Sequence, residues 1–292
     1  MTTSNNSDAV RKQYENDELL RTRQEIHEQY TQPKIDFIQW ALTCIPWQGS
    51  ERVLDVGSGT GSYHKALQMR YPDIRYFGID NSWGMLQKHP ANGYRMVNGD
   101  AHKLPYADNS FDIVMANHMM YHLTDIDTAI REFKRVLKPE GLLMVATNSL
   151  HNMPEFQVLM RRAIVLLTRL SPSQIRPPAP ASDLFALENG TRHLSRYFQG
   201  VVRYDLPTAL VFDDVEPALR YLESTRSLRE PQLPDDVMWD DMMLLMRQQI
   251  THLINHFGEL AVQKLAGVLV ATDSGGVFSE FFRIQHTVDS SQ

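Results

Sequence analysis

The chain has 292 residues, of which 42% are hydrophobic and 22% are charged, and its formal net charge is −6 at pH 7. This composition is ordinary for a globular protein with a large core, and the negative charge argues against a nucleic-acid substrate, which requires a basic face. The single cysteine, Cys44, excludes intramolecular disulfides and thiolate metal clusters. Because the N-terminus is polar and the apolar runs are short, we expect a cytoplasmic protein without a signal peptide or a membrane span.

Two helices are predicted before the first strand. The first, over 15–30, is charged and has few apolar anchors, whereas the second, over 33–43, is more apolar. A strand at 52–56 follows them, carries Asp55 and runs into a glycine-rich turn.

The turn has the pattern Asp-x-Gly-x-Gly-x-Gly, beginning at Asp55. Glycine has no Cβ, so the backbone can bend sharply here and a ligand can lie directly against it. The helix predicted over 62–70 would present free N–H groups to a carboxylate or a phosphate. These features indicate a nucleotide-like ligand site at the end of a parallel strand. The dinucleotide-binding fingerprint is not satisfied, because its third glycine would fall at Ser62.

The next two predicted strands also lead into acids. Residues 76–80 end in Asp80, whose carboxylate could accept hydrogen bonds from both hydroxyls of a ribose. A solvated loop acid, or an N-cap for the helix expected near Ser82, is the alternative. Residues 96–101 form the third strand and carry Asp100, for which a turn acid is the alternative.

A buried fourth strand is predicted over 111–117. Its last residue, Asn117, would lie where open α/β sheets place their ligands. An amphipathic helix is predicted over 127–137, with Thr124 or Asp125 as its N-cap.

The remainder of the chain is predicted to complete the sheet and to carry helical insertions. Strands are predicted at 142–146, 201–206 and 267–272, and helices at 151–170, 184–198, 213–224 and 236–257. Gly190 is a point at which the second of these helices could break. The helix at 236–257 has a methionine-rich apolar face, which would form a wall for a bulky apolar substrate, a core face or a homodimer contact.

The motifs follow one order from about residue 52 to residue 148. The glycine-rich turn is followed by the strand ending in Asp80, by Gly-Asp-Ala at 99–101 and by Ser-Phe-Asp at 110–112. In this series the chain resembles the class I S-adenosylmethionine-dependent methyltransferases. The resemblance implies an α/β fold with a Rossmann-like, seven-stranded and mostly parallel sheet, an antiparallel edge strand, helices on both faces and helical insertions that form a lid.

The resemblance also implies a division of the chain. The expected parts are an N-terminal helical lid (1–46), a core that binds S-adenosylmethionine (47–150), a helical insertion (151–199) and sheet-completing strands (200–292) with a second insertion at about 207–265. The insertions are the natural place for substrate recognition. Tyr14 and Tyr30 are candidate pocket residues of the N-terminal lid, although packing on an amphipathic helix explains each of them equally well.

The resemblance also implies which residues bind the cofactor S-adenosyl-L-methionine and the product S-adenosyl-L-homocysteine. Asp80 would bind the ribose, and Asp100 with the backbone of Ala101 would read the adenine. Asn117 would line the methionine end, where Asp55 or a nearby backbone carbonyl would accept from the ammonium. The candidate cofactor-binding residues are Asp55, Gly57, Ser58, Gly59, Gly61, Asp80, Asn81, Met85, Asp100, Ala101, Asn117 and Tyr30.

The implied reaction is in-line displacement of the sulfonium methyl group by an O, N or C nucleophile. Alignment and exclusion of water are its main requirements, and a general base helps where the nucleophile is a hydroxyl. His118, Tyr121 and His122 are the candidates for such a base, with packing as the alternative for each. On a helix His118 and His122 would share a face, but no third ligand suggests a metal site, so none is predicted.

The absence of two motifs excludes some classes of methyl acceptor. The segment 117–120, Asn-His-Met-Met, is not the Asn/Asp-Pro-Pro-aromatic motif of exocyclic-amine methylation, and no pair of glutamates follows it. A small molecule, such as a metabolite or natural product, is therefore the expected methyl acceptor. The alternatives are an RNA or protein methyltransferase, a non-catalytic cofactor-binding protein and a nucleotide-dependent oxidoreductase.

Overall fold

The computed structural model describes residues 18–91 and 95–275, so Tyr14 lies outside the described residues. The helices are α1 (Glu18–Tyr30), α2 (Phe37–Leu42), α3 (Ser62–Arg70), α4 (Trp83–Leu86), α5 (Ile126–Val136), α6 (Pro154–Leu167), α7 (Leu187–Leu194), α8 (Val215–Glu223), α9 (Arg226–Arg229) and α10 (Trp239–Phe257). The strands are β1 (Thr31–Gln32), β2 (Arg52–Val56), β3 (Arg75–Asp80), β4 (Met96–Asn98), β5 (Phe111–Met115), β6 (Leu137–Asn148), β7 (Gly200–Phe212) and β8 (Leu260–Thr272). Short 3₁₀ helices lie at Met120–His122, Ala181–Leu184 and Glu230–Gln232.

The strands form one sheet in the order β1-β7-β8-β6-β5-β2-β3-β4. The pairs β6–β5, β5–β2, β2–β3 and β3–β4 are parallel, whereas β1 is antiparallel to β7. The predicted α/β class, with a mostly parallel sheet, is confirmed. The sheet has eight strands in place of the seven expected, because the two residues of β1 add an edge strand. The carboxyl ends of the parallel strands share one edge of the sheet, and the candidate site lies there.

The chain divides into two compact units. Within the described ranges, the first unit comprises residues 18–36, 149–184 and 206–266, and the second comprises 37–91, 95–148, 185–205 and 267–275. Of the helices in the described ranges, none has both the length and the apolarity needed to cross a bilayer.

The core of the second unit is formed by strands buried on both faces and by the apolar faces of their helices. In α5 the buried residues are Ala129, Ile130, Phe133 and Val136, which lie at helical spacing on one face. The side chain of Asp125 caps this helix by accepting a hydrogen bond from the Thr128 N–H at 2.9 Å. Of the two predicted N-caps, Thr124 and Asp125, the structure has Asp125.

The core of the first unit is built around α10 and α6. The buried face of α10 consists of Trp239, Met242, Met246 and Ile250. Trp239 also donates its indole N–H to a carboxylate oxygen of Glu223 at 2.8 Å. The methionine-rich face predicted at 236–257 is thus a core face of this unit.

Strands β7 and β8 are longer than the predicted strands at 201–206 and 267–272. Each has 13 residues, so that 207–212 and 260–266 are strand where the sequence indicated the ends of a helical insertion. Pro207 lies inside β7, although proline cannot donate to a ladder. The pairing of β7 with β1 lies beyond this proline, at Ala209 and Leu210, and the strand continues.

Gly190 does not break its helix. It lies inside α7, where a Cβ would come within 2.6 Å of Leu269 Cδ1 and 2.9 Å of the Phe185 ring. Glycine is therefore required here for close packing of the helix.

Candidate active site

The glycine-rich turn joins β2 to α3, and its three glycines have positive φ angles of 71° at Gly57, 54° at Gly59 and 80° at Gly61. A Cβ on Gly57 would lie 2.9 Å from the Cβ of Met119, and one on Gly61 would lie 2.7 Å from His89 Nε2. A Cβ on Gly59 would meet no atom within 4 Å. Packing thus explains the outer two glycines, whereas the middle one exposes bare backbone to open space where a ligand can lie.

The carboxylate of Asp80 ties the end of β3 to this turn. One oxygen accepts from the Gly59 N–H at 2.9 Å, and the other accepts from the Ser82 N–H at 2.8 Å. Burial raises the pKa of Asp80, and the two hydrogen bonds oppose that rise. The N-cap of α4 is Ser82, whose hydroxyl accepts from the Met85 N–H. Because a carboxylate has about four acceptor positions, Asp80 keeps two for the hydroxyls of a ligand.

The carboxyl group of Asp55 is buried beneath the turn, with 2% of the residue exposed. Its pKa is raised to about 7: burial is the largest cause, the hydrogen bond from Tyr76 opposes it, and the charge of Asp80 adds to it. The Tyr76 hydroxyl donates that hydrogen bond at 2.6 Å. A buried carboxylate is costly unless a cation compensates it, so Asp55 fits a ligand that carries a positive charge.

Asp100 follows β4 and is largely solvent-exposed. It accepts from the backbone N–H of His102 at 2.9 Å and from His102 Nδ1 at 2.6 Å. Slight burial raises the pKa of Asp100, but the hydrogen bonds and charge of His102 outweigh it and leave the pKa below its usual value. Asp100 therefore acts as a turn acid, which was the alternative interpretation from the sequence. The neighbouring Ala101 is buried. No pattern in the sequence indicated that His102 would contact Asp100.

Asn117 follows β5 and is 8% exposed. Its Oδ1 accepts from the Ala146 N–H at 3.0 Å, and this bond fixes the orientation of the amide because a backbone N–H can only donate. Nδ2 is buried without a hydrogen-bond partner. Since buried donors are normally paired, this N–H₂ group suits a ligand oxygen.

The remaining candidate cofactor residues differ in exposure. Asn81 is exposed, whereas Met85 and Ser58 are buried, and Ser58 Oγ has no hydrogen-bond partner. Tyr30 belongs to the first unit, where its ring packs on that of Phe212 with 5.1 Å between centroids.

The three candidate bases do not lie on an α-helix. His118 has a φ of 55°, donates its N–H to the Ala146 carbonyl and packs its ring 5.3 Å from that of Phe37. Tyr121 and His122 lie in the 3₁₀ helix, with ring centroids 4.6 Å apart. The helical face conceived for His118 and His122 therefore does not form. A positive φ at a residue other than glycine is uncommon and is often found at functional sites.

Residues 54–145 match the family model described as "Methyltransferase domain". The malonyl-[acyl-carrier protein] O-methyltransferase of Halorhodospira halophila is 40% identical over 101 residues, which are 33% of this chain and 34% of that protein. The demethylmenaquinone methyltransferase of Thermotoga maritima is 37% identical over 98 residues, 32% of this chain and 42% of that protein. The chain thus spans well under half the length of these two relatives.

Among solved structures, the [4+2]-cyclase SpnF is 19% identical and superposes with a TM-score of 0.53. The match covers 91% of this chain and 96% of that one. The likeness shows a shared fold and, at this identity, nothing about activity.

Proposed function

We propose that the chain is a class I S-adenosylmethionine-dependent methyltransferase, which transfers a methyl group from S-adenosylmethionine to an O, N or C nucleophile of a small molecule. The match of residues 54–145 to the methyltransferase-domain model supports this proposal. The observation that carries the proposal is the bare backbone of Gly59, which faces open space while its N–H is held by Asp80. This arrangement leaves room for a ligand beside a carboxylate of the kind that can accept from ribose hydroxyls, which supports the proposal.

The residues at the carboxyl edge of the sheet fit the chemical groups of the cofactor. We assign the ribose hydroxyls to Asp80, the adenine to Asp100 with the backbone of Ala101, and the ammonium group to Asp55. The buried Nδ2 of Asn117 is assigned to an oxygen, either of the cofactor's carboxylate or of the methyl acceptor. The surrounding contacts are assigned to Gly57, Ser58, Gly59, Gly61, Asn81, Met85 and Tyr30.

S-Adenosylmethionine supplies an activated sulfonium methyl group, so the protein has to align the acceptor and exclude water. His118 is the first choice for accepting a proton from a hydroxyl nucleophile, because it follows Asn117 directly and has a strained backbone. Tyr121 and His122 are the next candidates. The helical insertions and the N-terminal helices are proposed to recognise the acceptor.

Equilibrium binding tests the proposal. The folded protein is expected to bind S-adenosylhomocysteine with a micromolar or lower Kd and to show no measurable affinity for NAD, because the spacing of the glycines does not satisfy the dinucleotide-binding fingerprint. Isothermal titration with both ligands measures this. Preference for NAD, or binding of neither ligand, would contradict the proposed activity.

Asn117→Asp tests the assigned donor. The aspartate keeps an oxygen for the Ala146 N–H but replaces the N–H₂ group with a second oxygen, which would repel a ligand oxygen. We expect S-adenosylhomocysteine affinity, or methyl transfer at unchanged affinity, to fall by at least about tenfold, equivalent to ~1.4 kcal/mol.

The control is Asn109→Asp, which makes the same change of charge at an exposed residue. Loss of cofactor affinity would assign Nδ2 to the cofactor, and loss of turnover alone would assign it to the acceptor. If Asn117→Asp behaves like Asn109→Asp in both assays, the assignment is wrong.

A further inference from the structure

Three buried polar side chains form a hydrogen-bonded chain beside the glycine-rich turn. The Tyr76 hydroxyl donates to Asp55 Oδ2 at 2.6 Å, and His89 Nε2 lies 3.5 Å from the same hydroxyl oxygen. All three residues are at least nine-tenths buried. They come from two strands and from the segment after α4, so the chain depends on the tertiary structure.

His89 Nδ1 lies 3.0 Å from both the backbone N–H and the carbonyl oxygen of Ala91. In the tautomer that accepts the Ala91 N–H at Nδ1, the proton of the neutral ring is on Nε2, which faces Tyr76. Nε2–H can then donate to the Tyr76 oxygen while Tyr76 donates to Asp55. Each bond in such a chain strengthens the next, and the last acceptor is the buried carboxylate.

The same chain contacts both sides of the turn. Asp55 precedes the first glycine, and His89 packs against the last one, since a Cβ on Gly61 would lie 2.7 Å from His89 Nε2. Gly61 is also the N-cap residue of α3. Tyr76 thus links the strand that enters the turn to the side chain that packs where the turn ends.

The charged and titratable groups around this chain favour one protonation pattern. His89 has its pKa lowered to about 4 by burial and by the nearby His64 and Lys65 of α3, so its ring is neutral near pH 7. Burial and the charges of Asp55 and Asp80 keep the pKa of Tyr76 well above its usual value, so its hydroxyl keeps the proton that it donates. Of the three residues in the hydrogen-bonded chain, Asp55 is the one whose proton is released near neutral pH.

We propose that Tyr76 and His89 are positioning residues of the cofactor site: they orient the Asp55 carboxylate and hold the glycine-rich turn, and binding of the cofactor's ammonium group releases the proton from Asp55. The proposal rests on the proposed function. It adds two residues to the site and a coupling between cofactor binding and proton release.

Titration of S-adenosylhomocysteine from about pH 5 to about pH 9, in buffers of different ionisation enthalpy, tests the coupling. The wild-type protein is expected to bind more tightly as the pH rises through 7 and to release about half a proton at pH 7. Tyr76→Phe removes a hydrogen bond that favours the carboxylate, so the midpoint of this profile should rise by about one pH unit. His89→Ala should raise the midpoint by less, because the distance from His89 Nε2 to the Tyr76 hydroxyl is longer than that from Tyr76 to Asp55.

Tyr106→Phe is the matched control, since the Tyr106 hydroxyl is also buried in the second unit but has no hydrogen-bond partner. Its pH profile should equal that of the wild type. A Tyr76→Phe profile that equals the wild type as well would overturn the proposal.

A second measurement needs no cofactor. The folded protein holds the Asp55 proton up to about pH 7, whereas the unfolded chain releases it near 3.8. The contribution of Asp55 to stability is therefore lost as the pH rises from 4 to 7, and Asp55→Asn should remove that loss. His89, with its lowered pKa, contributes the opposite slope between about pH 4 and 6.5, so the difference between variant and wild type is the quantity to compare.

Tyr76→Phe should extend the Asp55-dependent loss to higher pH, as measured by urea unfolding at each pH. If the wild type binds no S-adenosylhomocysteine at any pH, the proposed function fails, and the unfolding curves still decide whether Tyr76 controls Asp55. A Tyr76→Phe curve parallel to that of the wild type over this range would overturn the positioning role.

Discussion

Gly59→Val is expected to abolish binding of S-adenosylhomocysteine while leaving the protein folded. A Cβ at Gly59 meets no protein atom within 4 Å, so the valine side chain would occupy the open space assigned to the adenosyl group. The positive φ of 54° adds a backbone strain of about 1–3 kcal/mol, which a large domain can tolerate. Isothermal titration at a temperature well below the melting point of the variant measures the loss.

Gly258→Val separates the filled space from the backbone strain. Gly258 also has a positive φ, 87°, and a Cβ there also meets nothing within 4 Å, but it lies at the C-terminal end of α10. We expect both variants to be destabilised by similar amounts and only Gly59→Val to lose binding. A Gly59→Val protein that binds like Gly258→Val would show that the ligand lies elsewhere.

Asp80→Ala is expected to weaken S-adenosylhomocysteine binding by about 1–3 kcal/mol, or roughly 5- to 150-fold. Two losses combine in this variant. The ribose hydroxyls lose a charged acceptor, and the Gly59 N–H loses the carboxylate that holds it in place. Binding is measured by isothermal titration at pH 8.

Asp73→Ala is the control, because it removes the same charge from an exposed loop between α3 and β3. Its affinity should equal that of the wild type. Asp80→Asn keeps one acceptor oxygen and should lose less affinity than Asp80→Ala. Equal affinity of Asp80→Ala and Asp73→Ala would contradict the ribose assignment.

Local chemistry made part of the fold predictable. Helix α3 has the predicted limits of Ser62 and Arg70, because the glycines before it and the irregular residues after it define both ends. Strands β2 and β3 each begin one residue before the apolar runs at 53 and 76 that predicted them. In these places a short apolar run lies between strong turn signals, so few other structures are compatible with the sequence.

The pairing partners of strands were less predictable. Strand β1 has two residues, Thr31 and Gln32, and exists only because they pair with Leu210 and Ala209, about 180 residues along the chain. No local pattern indicates such a contact. The strand predicted to begin at 142 begins at Leu137, and between Leu137 and Leu142 β6 advances five residues while its partner β5 advances two.

The residues of the candidate site also divide into those that local sequence patterns predict and those that depend on distant contacts. The acids and glycines were visible because each of them ends a strand or shapes a turn. Tyr76 and His89 were not, because their roles depend on contacts with residues 21 and 13 positions away. The left-handed backbone of His118 was equally hidden, since histidine is enriched in this conformation but the preceding Asn117 shares that preference and most histidines do not adopt it.

A crystal structure of the protein with S-adenosylhomocysteine tests the central claim most directly. We predict the adenosyl group against the backbone of Gly59, with the ribose hydroxyls within hydrogen-bond distance of Asp80 and the amino group of the ligand near Asp55. Density for the ligand at another place, or a turn whose open side is filled by the protein's own side chains, would contradict the account.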